Sequence, residues 1–344
     1  MCVVLVGLAL MFLWPGPSAA PRPAPTPQQI AAREEALSRA TVFTTPIDLA
    51  ADPNTGVIDV HLTACTFIPS QPTGTTPKFD CRLESGEKIK VKYGWTREIP
   101  VEIAATRLLG ALGFGADRMS KVDIVRCYGC VVDPFHVRSF ARILHLGGAF
   151  DSHLNFNHAI DFVNVSVERR LVGAAIEAGA EKGWAFYELS KIDPARGGAT
   201  RAEVDALRLM AMLLNHWDNK PENQRLLCEG QKHTGCDHPL AMIQDAGSDF
   251  GPYKMNLKKW RQTPIWSDVP TCTLSMKTLP FEGATFSDVR ISEDGRRLLG
   301  DRLTKLAPAQ VKALFTMAGF DDANEWADAF QEKIREITDR PPCE

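Results

Sequence analysis

The chemistry-bearing residues of this chain concentrate in one short run, His216-Trp217-Asp218-Asn219-Lys220-Pro221-Glu222-Asn223. Within it stand a carboxylate (Asp218), an ammonium (Lys220) and a carboxamide (Asn223). A carboxylate can orient a hydroxyl group and take its proton. An ammonium can offset negative charge, and an amide oxygen is a hard ligand suited to Mg²⁺ or Mn²⁺. Phosphoryl transfer asks a protein for these capacities. A second acidic element follows in Ile243-Gln244-Asp245-Ala246-Gly247, where a short apolar stretch runs into an aspartate with glycine two positions on. Asp249-Phe250-Gly251 follows at once and offers another aspartate. Asp245 is favoured as a metal ligand because residues 241–244 read as a buried strand, while Ala246-Gly247-Ser248 do not. Asp249 is the alternative or an auxiliary contact.

Such groups need rigid elements to hold them. Residues 200–217 form the clearest helix, with Thr200 as N-cap and Glu203 completing a capping box. Val204, Leu207, Leu209, Met210, Leu213 and Leu214 make it apolar on most sides, which predicts burial. Upstream, residues 57–67 and 79–83 read as strands. The turn between them has a single glycine, Gly74, beside Thr75, Thr76 and Lys78, groups that could serve a phosphate. Residues 88–93 alternate, with Lys88, Lys90 and Lys92 on one face and Ile89, Val91 and Tyr93 on the other. A strong helix is expected at 100–112, closed by Gly113. Residues 122–132 read as a strand, 162–189 as partly helical around 168–180, and 260–276 as irregular. Helices are expected at 26–40, 296–306, 308–318 and 324–338. A small β-rich part followed by a larger helical part makes the fold class α+β.

The run at 216–223 resembles the protein-kinase catalytic loop, HRDLKPEN, at six of eight positions, and like that loop it follows a long buried helix. The resemblance spans roughly residues 67–251 and is most specific over 214–251. It implies a two-lobed protein-kinase-like fold, with a β-rich N-lobe at 56–132 and a helical C-lobe at 133–340. The catalytic loop would be 214–224 and the metal-binding segment 241–251. By the same resemblance Asp218 is the acceptor-side base, and Lys220 offsets charge on the γ-phosphate. Asn223 and Asp245 bind the divalent metal. Lys92 paired with Glu102 would hold the α- and β-phosphates, with Lys90 and Glu98 as runners-up, and Gly74 stands in for the glycine-rich loop. Three departures matter. Trp217 replaces the arginine that reads a phosphorylated activation loop, no A-P-E signature follows, and the phosphate loop has one glycine. These features are more similar to the atypical branch, the HipA-like kinases and the secretory-pathway kinases that modify casein or proteoglycan sugars. The resemblance therefore implies ATP with Mg²⁺ or Mn²⁺, and transfer to a hydroxyl of a protein or glycan. A pseudokinase binding nucleotide or a partner without turnover, or a nucleotidyl transferase on the same fold, are the alternatives. Acceptor choice would fall to residues 133–194 and the C-terminal helices.

The chain has 344 residues, 44% hydrophobic and 24% charged, an ordinary globular balance. A net charge of −3 lacks the basic excess of a nucleic-acid binder. Residues 1–13, MCVVLVGLALMFL, are apolar and too short to cross a bilayer comfortably. Ser18, Ala19 and Ala20 then resemble a cleavage site, so 1–20 reads as a signal peptide or anchor, with a linker and short helix at 21–55. No stable membrane span is expected once the leader is gone. Of nine cysteines, eight remain without Cys2, and an even set in an exported chain predicts disulfides. The near pairs are Cys65 with Cys81, Cys127 with Cys130 and Cys228 with Cys236, leaving Cys272 with Cys343; spacing alone does not fix this connectivity. The expected compartment is secreted, periplasmic or the secretory-pathway lumen. Two weaker metal readings are zinc at Cys228, His233, Cys236 and His238, and a metal-dependent hydrolase at His153, His158 and Asp161.

Overall fold

The computed structural model describes residues 24–70, 73–179, 181–230, 236–252, 254–276 and 283–344. The expected leader at 1–20 lies outside them. The architecture is α+β: a closed β-barrel early in the chain, then a mainly helical part. The barrel consists of β1 (Leu62–Ile68), β2 (Lys78–Arg82), β3 (Lys88–Lys92), β4 (Arg118–Tyr128) and β5 (Ala159–Arg169), in the order β1-β2-β3-β5-β4. β1 and β4 run parallel and every other pair is antiparallel. Phe67, Phe79, Ile89, Val91, Val122, Val125, Val165 and Val167 fill its interior. The β3 alternation holds: Ile89 and Val91 point into the barrel, so the lysines share the outer face.

Two expectations are corrected here. Residues 168–179 are not helical; β5 runs to Arg169 and a short strand, β6 (Gly173–Ala175), follows. β5 inserts between β3 and β4, so the barrel continues well past residue 132, where the β-rich part was expected to end. Ser166 and Glu168 are buried opposite the barrel core, which hides the alternation that marks a half-exposed strand. The short helix expected within 21–55 forms and joins the main core. This helix, α1 (Pro27–Ser38), is capped by Thr26 and Gln29, and Leu37, Ala40, Val42 and Leu49 belong to the main core.

Helix α2 (Glu98–Ala111) packs into that core through Ile99, Val101, Ile103, Ala104, Leu108 and Leu109. Between β4 and β5 lie two helices, α3 (Pro134–Ile143) and α4 (Gly147–Ser152). Helix α5 (Arg201–Leu214) carries the expected Thr200–Glu203 capping box and is buried on most sides. It stops three residues earlier than its composition suggested, because Asn215 takes a left-handed conformation (φ 59°, ψ 48°) that redirects the chain into 216–223. β7 (Gln224–Glu229) and β8 (Pro239–Ile243) form a hairpin behind that run, with β6 on the other edge of β7. Helix α6 (Leu257–Gln262) and strands β9 (Trp266–Asp268) and β10 (Thr273–Leu274) occupy the stretch expected to be irregular. Helices α7 (Glu293–Leu303), α8 (Pro308–Ala318) and α9 (Ala323–Thr338) complete the chain.

All four cysteine pairings form: Cys65–Cys81, Cys127–Cys130, Cys228–Cys236 and Cys272–Cys343. The Cys228–Cys236 bond removes both sulfurs from the zinc reading, whose His233 lies outside the described residues. Among the described residues no helix is long and apolar enough to cross a membrane. The disulfides are compatible with an oxidising compartment.

One contact ties the N-terminal helix to the 216–223 run. Buried Arg33 of α1 grips Glu188 at 2.7 and 2.9 Å and donates to the Gly183 carbonyl at 2.8 Å. Gly183 itself has φ +62°, and a Cβ there would collide with the carbonyl oxygens of Pro221 and Gln224. Gly183→Ala is therefore expected to destabilise the fold by about 2–4 kcal/mol, since it combines a strained left-handed residue with a backbone clash. Urea denaturation measures this; a loss within about 0.5 kcal/mol of wild type would contradict the close approach.

Candidate active site

Where the barrel meets the helical part there is a cleft of about 800 Å³. Its barrel-side wall carries Gly74, Thr75, Thr76, Lys78, Lys90 and, from α2, Glu98. The opposite wall carries Asp218, Lys220, Asn223, Asp245 and Lys254. Of the expected residues, Gly74, Asp218, Lys220, Asn223 and Asp245 thus face one space. Lys92 and Glu102 lie beneath its surface, each at most 2% exposed.

The run at 216–223 is held by its own polar side chains. Asn223 donates its amide to the Asp218 carbonyl at 2.6 Å, and its backbone carbonyl accepts from Gln244 N and Asp245 N at 2.9 and 3.0 Å. The two acidic elements are therefore stitched together through the backbone. Asn219 spans the loop and its neighbour, donating to the His216 carbonyl at 3.0 Å and accepting from Thr285 N and Phe286 N at 2.8 and 2.9 Å. Asp218 contacts Lys220 at 3.2 Å through Oδ2, while its buried Oδ1 has no hydrogen-bond partner among the described residues. An unpartnered carboxylate oxygen at a polar cleft suits a ligand donor or a cation.

Asp249 is not at the cleft. It is fully buried and accepts from His216 Nδ1 at 2.8 Å. The Gln224 amide donates to His216 Nε2 at 3.0 Å, so the imidazole proton sits on Nδ1. Burial pushes the Asp249 carboxyl up to about 6, against the pull of His216. The next residue, Phe250, is the hub of an aromatic cluster with Trp260, Phe315, Phe320 and Trp326. The literal Asp-Phe-Gly is thus an anchor of the helical core. Of Asp245 and Asp249, Asp245 is the one at the cleft.

The densest charge lies around Lys92. Its ammonium meets Glu102 at 2.6 Å and Glu98 at 2.9 Å, so the preferred partner and the runner-up both bind it. Lys90 instead pairs with Glu168 at 2.6 Å. Glu98 also accepts from Thr76 of the Gly74 turn and from Lys254 beyond Asp245. Gly247 allows this approach, since a Cβ there would meet the Glu98 side chain. Burial lowers the proton affinity of Lys92, yet Glu102, Asp245 and Glu98 outweigh it and hold the ammonium charged. Burial raises Asp245, but Lys92, the Gly247 N–H, Lys90 and Lys78 together bring it below the ordinary aspartate range. Asp245 is therefore ionised at neutral pH; its carboxylate and the Asn223 amide oxygen are hard oxygen donors of the type that could hold Mg²⁺ or Mn²⁺. Burial also pulls Lys78 below its usual range. A Cβ on Gly74 would stand 3.2 Å from the Lys78 ammonium, which places that lysine beside the turn.

Sequence reasoning gave Lys78 a minor role and missed Lys254. Lys78 had a signal, its position directly after the Gly74 turn. Lys254 had none, because its position depends on left-handed backbone at Phe250, Lys254 and Met255. The hydrolase reading fails on geometry: Asp161 is tied to Arg126 at 2.7 and 2.8 Å, and His153 Nδ1 lies 2.8 Å from the Ala149 carbonyl.

Glu102 carries a pH signature. Burial chiefly, helped by Asp245, Glu168 and Glu98, raises it to about 8 against the pull of Lys92. The folded protein thus retains a proton that the unfolded chain releases between about pH 4.5 and 8, and this contribution to stability fades as pH rises through that window. Glu102→Gln is expected to flatten the fall in stability between about pH 5 and 8 in urea titrations. An unchanged slope in the variant would contradict the assignment.

No protein-family model matches the chain, and no curated protein is similar to it in sequence. Among solved structures, a proinflammatory kinase from Helicobacter pylori, CtkA, aligns over 80% of this chain and 92% of its own at 12% identity, with a TM-score of 0.43. A likeness that slight assigns no activity to this chain.

Proposed function

We propose that this protein is an ATP-dependent phosphotransferase with a two-lobed, kinase-like fold, acting on a hydroxyl of a protein or glycan in an oxidising compartment. The observation that carries the reading is the convergence of Asp218, Asn223 and Asp245 on one cleft, opposite the Lys92–Glu98 pair and the Gly74 turn. The acceptor class and the HipA-like or secretory comparison come from motif resemblance.

In this reading the nucleotide phosphates lie between the Gly74–Lys78 turn and the Asp245 side of the cleft. Lys78 faces their negative charge, the buried Lys92 adds positive potential from beneath the cleft floor, and Thr75 and Thr76 offer hydroxyl and amide donors. The acceptor hydroxyl approaches Asp218, which takes its proton as the acceptor oxygen bonds to the γ-phosphorus and the bond to ADP breaks. Lys220, 3.2 Å from the Asp218 carboxylate, offsets charge on the moving group. Asn223 and Asp245 would hold Mg²⁺ or Mn²⁺; when bound, the ion supplies charge neutralisation on the phosphate oxygens. His216, with its proton on Nδ1 toward Asp249, fixes the loop and takes no part in proton transfer.

The test is ADP release from ATP by the oxidised protein, with water as the default acceptor. Asp218→Ala is expected to lower the rate by about 100-fold or more, the usual worth of a positioned base. Asp245→Ala is expected to abolish it. Turnover that survives both substitutions unchanged would sink the proposal.

A further inference from the structure

Behind α2, on the side away from the cleft, lies a second cavity of about 310 Å³. Leu49 and Ala50 form one side, and Ala309, Ala313, Leu314 and Met317 of α8 form the other. Arg107 of α2 and Gln310 supply its polar groups. Arg107 is nine residues beyond Glu98 on the same helix, about 180° around its axis, so it faces away from the cleft.

Arg107 is 3% exposed, and among the described residues its charge is met only by a long ion pair. Its Nη2 donates to the Leu49 carbonyl at 3.4 Å and to that of Ala51. Its Nη1 points at the Met317 sulfur at 3.3 Å. The Nε–H is buried and has no hydrogen-bond partner among the described residues. The nearest carboxylate is Asp52, 4.0 Å from Nη1. That pair is made through Oδ2, while Asp52 Oδ1 accepts from Ser120 at 2.6 Å and Asn54 N at 2.9 Å. Burial pushes the guanidinium below its ordinary range, and Asp52 and Asp48 only partly restore it. A buried guanidinium held by carbonyls, a thioether and one long ion pair is a costly arrangement, and a second carboxylate brought close from the cavity would relieve it.

We propose that this cavity binds a small monocarboxylate with an apolar tail, its carboxylate on Arg107 and its tail against Leu49, Leu314 and Met317. The apolar walls with one convergent cation match a small-molecule site, and the volume is at the lower end for such sites. A phosphate ester or dianion is disfavoured, because the walls provide a single cation and few donors. The site stands independently of the chemistry proposed for the cleft.

The test is calorimetric titration of the full chain with octanoate, and with octanol as the tail without the charge. Wild type is expected to bind octanoate saturably and octanol about tenfold more weakly or worse. Ala313→Trp changes an exposed alanine on α8 and fills the cavity without disturbing the core; it is expected to remove octanoate binding while leaving the melting temperature near wild type. Arg107→Met, where it folds, is expected to bind the two probes alike. Equal affinity for octanoate and octanol in wild type, no binding of octanoate, or undiminished binding in Ala313→Trp would each overturn the proposal.

Discussion

An ammonium buried between two helical glutamates governs the geometry of this protein. Taking the Lys92 charge out of water costs several kcal/mol unless partners lie close on the inside. Glu98 and Glu102 stand one turn apart on α2 and reach the same nitrogen. That requirement fixes the distance between barrel and helix. Glu98 then collects two more partners, Thr76 from the turn between β1 and β2 and Lys254 from the segment beyond Asp245. Three walls of the cleft meet at one carboxylate. Burial first, and then the surplus of acid around Lys92 from Asp245, Glu168 and Glu98, raises the proton affinity of Glu102. An arriving cation would rebalance that charge.

The second constraint is backbone continuity between the two acidic segments. The Asn223 carbonyl receives the N–H groups of both Gln244 and Asp245, so Asp218 and Asp245 cannot drift apart without breaking both bonds. Behind them, the His216–Asp249 pair and the ring of Phe250 anchor the loop to the helical core. On the far side, Arg33 and Gly183 brace it from the N-terminal helix. Side chains that act at the cleft are thus separated from side chains that hold it, although both come from the same short motifs.

Much of this arrangement was legible in the sequence. The capping box at Thr200, the lysine alternation on β3 and the spacing of Asp218, Lys220 and Asn223 each carry a local physical signal, and each element formed where that signal stood. Residues 241–244 correctly indicated a buried strand leading to Asp245, against the more familiar letters at Asp249. What stayed hidden depends on contacts between distant segments. The end of β5 fell within a stretch expected to be partly helical, because its second face is buried by polar partners, with Glu168 opposite Lys90. The choice between Glu98 and Glu102 had no answer from spacing, because Lys92 takes both. The role of Lys254 rests on a left-handed backbone that no local motif announces.

In the proposed function the Lys92 charge group and Asp245 together receive a polyphosphate with its divalent ion. Isothermal titration of the oxidised protein with ATP and with adenosine, each with and without Mn²⁺, tests it most directly. The account predicts saturable ATP binding that needs Mn²⁺, with adenosine weaker by about 100-fold or more. ATP binding that ignores Mn²⁺, or adenosine binding as tightly as ATP, would contradict it.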